Sequence, residues 1–117
     1  MQTFGSYLRQ RREQLRQRDP AFSLRKLAQR IGVQPSYLSK VERGTEPPPS
    51  ENTVCLLARE LDEDPDILLA MAGKVSDELQ SIIRKRPKLF AELLRQLKRM
   101  PDKAVLRLVR EVRDGDW

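Results

Sequence analysis

The spacing of the apolar residues constrains this fold more than any other feature of the sequence. Along the whole chain, apolar side chains recur three or four positions apart, as they do on one face of a helix. No segment alternates apolar and polar residues as a half-buried strand does, and no tight hairpin signal is present. The sequence therefore predicts an all-α protein of about eight short helices.

Glycine, proline and capping residues predict where the first five helices begin and end. Thr3 and Ser23 suit the N-caps of the first and second helices, and Ser50 suits the N-cap of the fourth. Gly32 and Gly44 are placed to end the second and third helices. Proline at the first helical position predicts the starts of the third helix at Pro35 and the fifth at Pro65, with Gly73 closing the fifth. The residues expected to face the core are Leu24, Leu27, Ala28, Ile31, Leu38, Val41, Val54, Leu57, Ala58, Leu61, Ile67, Leu68 and Met71.

Three further helices are predicted after Gly73, starting near Ser76, Pro87 and Pro101. Each carries one apolar stripe, which is wide enough to pack against a neighbour. The apolar residues Leu89, Met100, Leu106 and Trp117 lie off these stripes. We therefore predict two domains: a five-helix domain over residues 1–73 and a helical subdomain over 74–117 that forms a dimer.

The basic residues are concentrated in the first part of the chain. Residues 1–50 contain ten lysines and arginines against four acidic residues, whereas residues 51–117 contain thirteen of each. A basic segment followed by a neutral one indicates a polyanionic partner better than a high isoelectric point does. The alternative from charge alone is a solvated arginine-rich helix.

The residue types present argue against metal or catalytic chemistry. The chain has one cysteine, Cys55, and no histidine, so neither an intrachain disulfide nor an ordinary zinc site is expected. No nucleophile paired with a base and no phosphate-binding loop is visible, which predicts a protein that is not an enzyme and needs no cofactor. The sequence has neither a signal peptide nor an apolar run of membrane-spanning length, so we expect a cytoplasmic protein without membrane contact. Cys55 is interpreted as a small, partly buried side chain.

The most informative segment is LRKLAQRIGVQPSYLSKVERG, residues 24–44. Two short amphipathic helices meet there at a turn centred on a glycine, and Ala28 is small enough to let them approach closely. This arrangement predicts a helix-turn-helix, whose second helix enters the major groove of DNA. The segment resembles the lambda-repressor-like, Xre-type helix-turn-helix family in its Leu-Ala pair, both glycines and its Glu-Arg-Gly ending. The resemblance extends over about residues 4–73.

The resemblance implies specific roles for the residues of the motif. The recognition helix is then Pro35–Arg43, and its outward residues Gln34, Ser36, Tyr37 and Lys40 are expected to face the bases. Gln34 and Ser36 also have the simpler interpretation of helix-capping residues. Phosphate contacts are expected from Ser23, Leu24, Arg25, Arg43 and Thr45, whereas Arg12 and Glu42 match a structural pair of the family. The connection RQRDPAF between the first two helices is longer than in compact phage repressors, which affects the contacts around Ser23.

Two functions remain open on the sequence. The first is a homodimeric repressor that binds a pseudo-palindromic operator in double-stranded DNA. The second is an antitoxin-like protein that binds a partner protein through residues 74–117 and represses its own operon. The two hypotheses share the predicted helix-turn-helix DNA-binding domain over residues 1–73. They differ in what residues 74–117 bind.

Overall fold

The computed structural model of the chain describes residues 2–117, and over this range it is built from helices without a strand. The predicted all-α fold of about eight helices is confirmed. The eight α-helices and one short 3-10 turn are α1 (Phe4–Arg16), the 3-10 turn (Pro20–Phe22), α2 (Leu24–Ile31), α3 (Pro35–Arg43), α4 (Glu51–Glu60), α5 (Pro65–Met71), α6 (Asp77–Lys85), α7 (Pro87–Leu97) and α8 (Asp102–Asp114). The chain forms two compact units, a first one that ends at Ser76 and a second one over Asp77–Trp117. They are called the N-terminal unit and the C-terminal unit below.

The N-terminal unit has an aliphatic core to which each of α1–α5 contributes. Among the described residues, the buried polar side chains are Arg12 and Glu42, and no buried side-chain nitrogen or oxygen lacks a hydrogen-bond partner. The buried apolar residues are Phe4, Leu8, Leu27, Ala28, Ile31, Leu38, Val41, Val54, Leu57, Ala58, Leu61, Leu68 and Leu69.

The helix ends of this unit lie where the sequence places them. The hydroxyl of Thr3 accepts a hydrogen bond from the backbone N–H of Ser6 at 3.1 Å, and that of Ser23 accepts one from Lys26 at 3.2 Å. Ser50 lies at the N-cap of α4. Gly32 and Gly44 adopt φ of +78° and +79°, in the left-handed region that side chains with a β-carbon rarely occupy. The predicted caps at Thr3, Ser23 and Ser50 and the glycine stops at Gly32 and Gly44 are confirmed.

The long connection between α1 and α2 folds into an ordered turn. The side chain of Asp19 accepts from the N–H of Ala21 at 2.9 Å, and Pro20–Phe22 forms a 3-10 turn. The guanidinium carbon of Arg30 lies 5.1 Å from the centre of the Phe22 ring. This cation–π contact stabilises the packing of the 3-10 turn against α2. These contacts position Ser23 as the first residue before α2.

The predicted inward face of α5 is wrong in one residue. Ile67 is 57% exposed, whereas Leu69, which was not predicted to be buried, is 1% exposed. Each residue turns about 100° around a helix, so burying Leu68 and Leu69 together turns Ile67 toward solvent. The sequence of a seven-residue helix does not determine this choice, because the packing against α4 sets the buried face.

The C-terminal unit differs from the first in having no buried residue. None of α6, α7 and α8 contains a buried side chain. Apolar side chains that are more than a third exposed occur on all three helices: Leu79, Ile82, Leu89, Leu93, Leu94, Leu106, Val109 and Val112. Over residues 2–117, no helix is long and apolar enough to cross a membrane.

Candidate nucleic-acid interface

The second and third helices are joined by a three-residue turn, Gly32 to Gln34. The N–H of Val33 donates to the carbonyl of Ala28 at 3.0 Å, which closes the end of α2. Ala28 itself is completely buried, as are Leu27 and Leu38. The inner faces of α2 and α3 are thus fixed by the core, and the outer face of α3 is left toward solvent.

Three of the four predicted base-contacting residues lie exposed on the outer side of α3. Gln34, Ser36 and Lys40 are exposed, and Ser36 and Lys40 are one helical turn apart on the same face. No carboxylate of residues 2–117 forms an ion pair with Lys40. Tyr37 differs from the other three, because its half-buried ring packs against the core.

Gln34 occupies the N-cap position of α3, but its side chain does not cap the helix. Its backbone is extended, and no hydrogen bond joins its side chain to the first turn. Gln34 also lines a shallow cleft of about 260 Å³ together with Arg25, Gln29, Val33 and Pro35. Gln29 was missed by the sequence reasoning, although its position one turn after Arg25 places both on the same face of α2.

The first turn of α2 combines a capped start with exposed cations. The Ser23 hydroxyl is engaged with the N–H of Lys26, which leaves the N–H groups of Leu24 and Arg25 without a partner among the described residues. Arg25 and Lys26 are both exposed, and this turn contains no acidic residue. Cations at a helix N-terminus oppose the helix dipole, whereas an anion there is favourable. Lys26 is a further cation that the sequence reasoning did not single out.

The end of α3 places Arg43 and Thr45 differently. Arg43 is exposed and donates from Nε to the carbonyl of Ser39 at 3.3 Å, while its two terminal nitrogens bond to none of residues 2–117. Thr45 is engaged internally: its N–H and its hydroxyl both donate to the carbonyl of Lys40, at 2.9 and 3.2 Å. Thr45 would have to release its hydroxyl from Lys40 before it could donate to another group.

Arg12 and Glu42 meet in a buried, two-pronged ion pair between α1 and α3. Arg12 donates from Nε and Nη2 to the two carboxylate oxygens of Glu42, at 2.7 and 2.9 Å. Both side chains are only 4% exposed. The hydrogen bond with Glu42 raises the pKa of Arg12 further above its ordinary value, so this guanidinium stays charged across the physiological range. Arg12 also reaches the carbonyl of Phe22 at 3.3 Å, which links α1, the 3-10 turn and α3.

Gly5 is a structural residue of this site that sequence reasoning missed. It is buried in the first turn of α1, directly against the backbone of α3. A β-carbon at this position would overlap the carbonyl oxygens of Val41 and Glu42. A glycine inside a predicted helix costs about 1 kcal/mol relative to alanine, and this cost was the signal that could have identified it.

Ion pairs within the N-terminal unit engage part of its positive charge. Arg11 lies 3.2 Å from Glu63, and Arg30 lies 2.9 Å from Glu60. The hydroxyl of Tyr7 also donates to Glu63 at 2.8 Å, and this hydrogen bond raises the pKa of Tyr7. These contacts hold α1 and α2 to the end of α4 and its following turn. Four cations of α2 and α3 take part in none of the ion pairs among the described residues: Arg25, Lys26, Lys40 and Arg43.

An all-helical unit with a short, outward-facing third helix held by a glycine-centred turn defines a helix-turn-helix protein. Residues 3–70 match the family described as helix-turn-helix domain. The chain therefore belongs to this family, the kind typical of Xre and lambda-repressor-like regulators, and the resemblance stated from the sequence is confirmed. The family identifies the N-terminal unit as that of a DNA-binding regulator. The comparisons with curated proteins and with solved structures gave no match.

Proposed function

We propose that the protein is a homodimeric transcriptional repressor that binds a pseudo-palindromic operator through α3 and acts in the cytoplasm. The observation that carries the proposal is the division of α3 into two faces. Leu38, Val41 and Glu42 are buried, whereas Gln34, Ser36 and Lys40 are exposed. A helix clamped on one side and polar on the other suits the major groove of DNA, which is about 12 Å wide.

Each exposed residue of α3 has a chemical match among the bases. The Lys40 ammonium can donate to O6 or N7 of guanine, and the Gln34 amide can both donate to and accept from adenine. Ser36 adds a small donor one turn before Lys40. Because the ring of Tyr37 packs on the core, we assign only its outer edge to DNA.

Phosphate groups would hold the unit in register without reading sequence. We assign the free N–H groups of Leu24 and Arg25, the side chain of Arg25 and the terminal nitrogens of Arg43 to this role. Ser23 contributes by shaping the start of α2. Thr45 contributes only if its hydroxyl leaves the carbonyl of Lys40.

The C-terminal unit supports dimerisation, which we propose for residues 74–117. Its 41 residues bury no side chain within one chain, and small units of this size rarely have an adequate core of their own. An apolar groove of about 380 Å³ runs between α7 and α8, lined by Leu93, Leu97, Val105, Leu108, Val109, Val112 and Arg113. We assign a second copy of the chain to this groove, since a two-fold pair would cover the same stripes on both chains and would hold two recognition helices for half-sites about 34 Å apart.

A second function fits the same uncovered stripes. In the antitoxin-like alternative, a different protein covers the groove between α7 and α8, and the chain represses the operon that encodes both proteins. Light scattering on the pure chain separates the two functions: a stable dimer supports the repressor, whereas a monomer supports the alternative.

In-vitro selection of bound duplexes from a random pool tests DNA binding and operator symmetry together. We expect enrichment of an inverted repeat whose half-sites lie about one helical turn apart. Enrichment of a single half-site would contradict the dimeric operator. Failure to enrich any sequence would contradict sequence-specific DNA binding.

A further inference from the structure

A second concentration of positive charge lies at the junction of α6 and α7. The segment 84–88 contains Arg84, Lys85, Arg86 and Lys88, and we call it the basic junction. The net charge of residues 51–117 is zero, which obscures this local excess of basic residues. Residues 51–78 contain two basic and eight acidic residues, whereas residues 79–117 contain eleven basic and five acidic residues.

The four cations of the basic junction are exposed, and no carboxylate among residues 2–117 forms an ion pair with them. Arg84 donates only to the amide oxygen of Gln80, at 3.3 Å. Glu92 is one helical turn after Lys88, but its two oxygens accept from Arg95 at 3.0 Å and from Gln96 at 2.9 Å. The carboxylate that is best placed in sequence to neutralise the junction is therefore already engaged.

The helix dipoles compensate only part of this charge. α6 ends at Lys85 and α7 begins at Pro87, so the four cations lie within five consecutive residues where one helix ends and the next begins. Arg84 and Lys85 are in the last turn of α6, where a cation is favourable. Arg86 is the N-cap of α7 and forms no side-chain capping bond, and the first turn of α7 has no acidic residue. Arg86 and Lys88 thus lie at the positive end of the α7 dipole, where a cation lowers helix stability. Helix stability therefore does not explain the presence of Arg86 and Lys88.

We propose that the basic junction is a second DNA-binding site, which contacts phosphodiester groups outside the base pairs read by α3. The inference rests on the proposed function, since it assigns the same DNA as the ligand. Lysine and arginine side chains neutralise backbone phosphates without regard to sequence and release bound counterions when they do so. The site adds affinity and a steeper salt dependence, while the choice of sequence stays with α3.

The test compares two triple variants of the full chain. The first, Lys85→Gln/Arg86→Gln/Lys88→Gln, neutralises the basic junction. The control, Lys98→Gln/Arg99→Gln/Lys103→Gln, removes the same charge from three exposed cations beyond the other end of α7. Binding to the selected operator and to a scrambled duplex is measured over a series of salt concentrations.

We expect the slope of log K against log salt to fall by about two to three units in the junction variant, because each lost phosphate contact contributes about 0.9. Its preference for operator over scrambled DNA should stay unchanged, and the control should keep the slope of the parent protein. The melting temperature of the junction variant should stay close to that of the parent, because Arg86 and Lys88 oppose the α7 dipole whereas Lys85 favours the α6 dipole. A fall in slope at an unchanged melting temperature cannot be attributed to unfolding.

Equal slopes in the two triple variants would overturn the inference, because general net charge would then explain the effect. The inference would also be overturned if the junction variant kept the salt slope of the parent for DNA but lost binding to phosphatidylserine vesicles. That result would assign the junction to an anionic lipid surface. If the parent protein binds no DNA at all, the proposed function fails. If the parent binds and the junction variant matches it, only this inference fails.

Discussion

At the residue scale, the contact that fixes the recognition helix is the ion pair between Arg12 and Glu42. Both groups are withdrawn from water, and each depends on the other for compensation of its charge. Because one partner lies on α1 and the other in the last turn of α3, the pair fixes how α3 leaves the core. Its function is positional, and it touches no surface that DNA can reach.

We expect Glu42→Ala to lower the free energy of unfolding by about 3–5 kcal/mol, because it leaves the Arg12 charge buried and unpaired. Glu13→Ala is the matched control, since Glu13 also contacts Arg12 at 3.2 Å but is 42% exposed. Its cost should be about 1 kcal/mol or less. Urea unfolding measures both values, and equal stabilities of the two variants would contradict a dominant buried pair.

Gly5→Ala should destabilise the protein although alanine is the better helix former. The added methyl group would overlap the carbonyl oxygens of Val41 and Glu42, so α1 and α3 would have to separate. Overpacking of this kind costs about 1–3 kcal/mol. Gln14→Ala, an exposed change on the same helix, should shift stability by about 0.5 kcal/mol or less. Thermal unfolding decides, and a Gly5→Ala protein as stable as its parent would rule out the close approach.

At the scale of the element, α3 has an exposed polar face and a basic C-terminal end. Pro35 starts this nine-residue helix, and Gly44 ends it in a left-handed conformation. Lys40 lies in the middle of the exposed face, and Arg43 lies at the end of the helix. Their positions predict different consequences for DNA binding.

Lys40→Ala should weaken operator binding by about 1–3 kcal/mol and relax base preference at one position of each half-site. Arg43→Ala should weaken binding to all sequences equally and lower the salt slope by about one unit. Titrations against operator and scrambled duplexes distinguish the two effects. Equal losses on both duplexes for Lys40→Ala would remove Lys40 from the base-reading residues.

At the scale of the whole molecule, the two units differ in how completely they cover their apolar side chains. The N-terminal unit buries residues from five helices, whereas the C-terminal unit leaves its stripes exposed. The N-terminal unit also contains exposed apolar residues on α4 and α5, namely Leu56 and Ile67. The proposed dimer could therefore form through either unit, and a truncation and two single substitutions distinguish them.

A fragment that ends at Ser76 should be folded and monomeric, with much weaker operator binding. The boundary is placed after Lys74, because the Lys74 ammonium donates to the carbonyl of Pro49 at 2.6 Å within the N-terminal unit. Size-exclusion chromatography with light scattering measures the state of the fragment. A fragment that still dimerises at the concentration used for the full chain would contradict dimerisation through the C-terminal unit.

Two single changes in the full chain separate the competing surfaces without a truncation. Val109→Asp on α8 and Ile67→Asp on α5 both place a charge on a side chain that is more than half exposed, so neither should unfold a single chain. We expect Val109→Asp to convert the dimer to monomer and Ile67→Asp to leave it intact. The reverse result would move the interface to α4 and α5.

The sequence by itself determined the helices, the caps at Thr3, Ser23 and Ser50 and the position of α3. These features depend on local chemistry: a serine that caps through its own hydroxyl, a glycine that adopts a positive φ without steric cost, and apolar residues in a helical period. Ser23, Gly32, Pro35 and Gly44 each act on backbone groups that lie within one helical turn in the sequence. Their consequences can therefore be predicted without knowing what the helix packs against.

Tertiary structure alone decided which residues are free to act. It turned Ile67 outward and Leu69 inward. It also engaged the Thr45 hydroxyl with the backbone carbonyl of Lys40 and placed Gly5 against the backbone of α3. It paired Arg11 and Arg30 with carboxylates distant in the sequence. The side-chain ammonium of Lys40 and the cations of the basic junction form no ion pair among the described residues. The physical reason is that burial and pairing depend on side chains from other helices. Their positions follow from how the whole core closes, which no local pattern specifies.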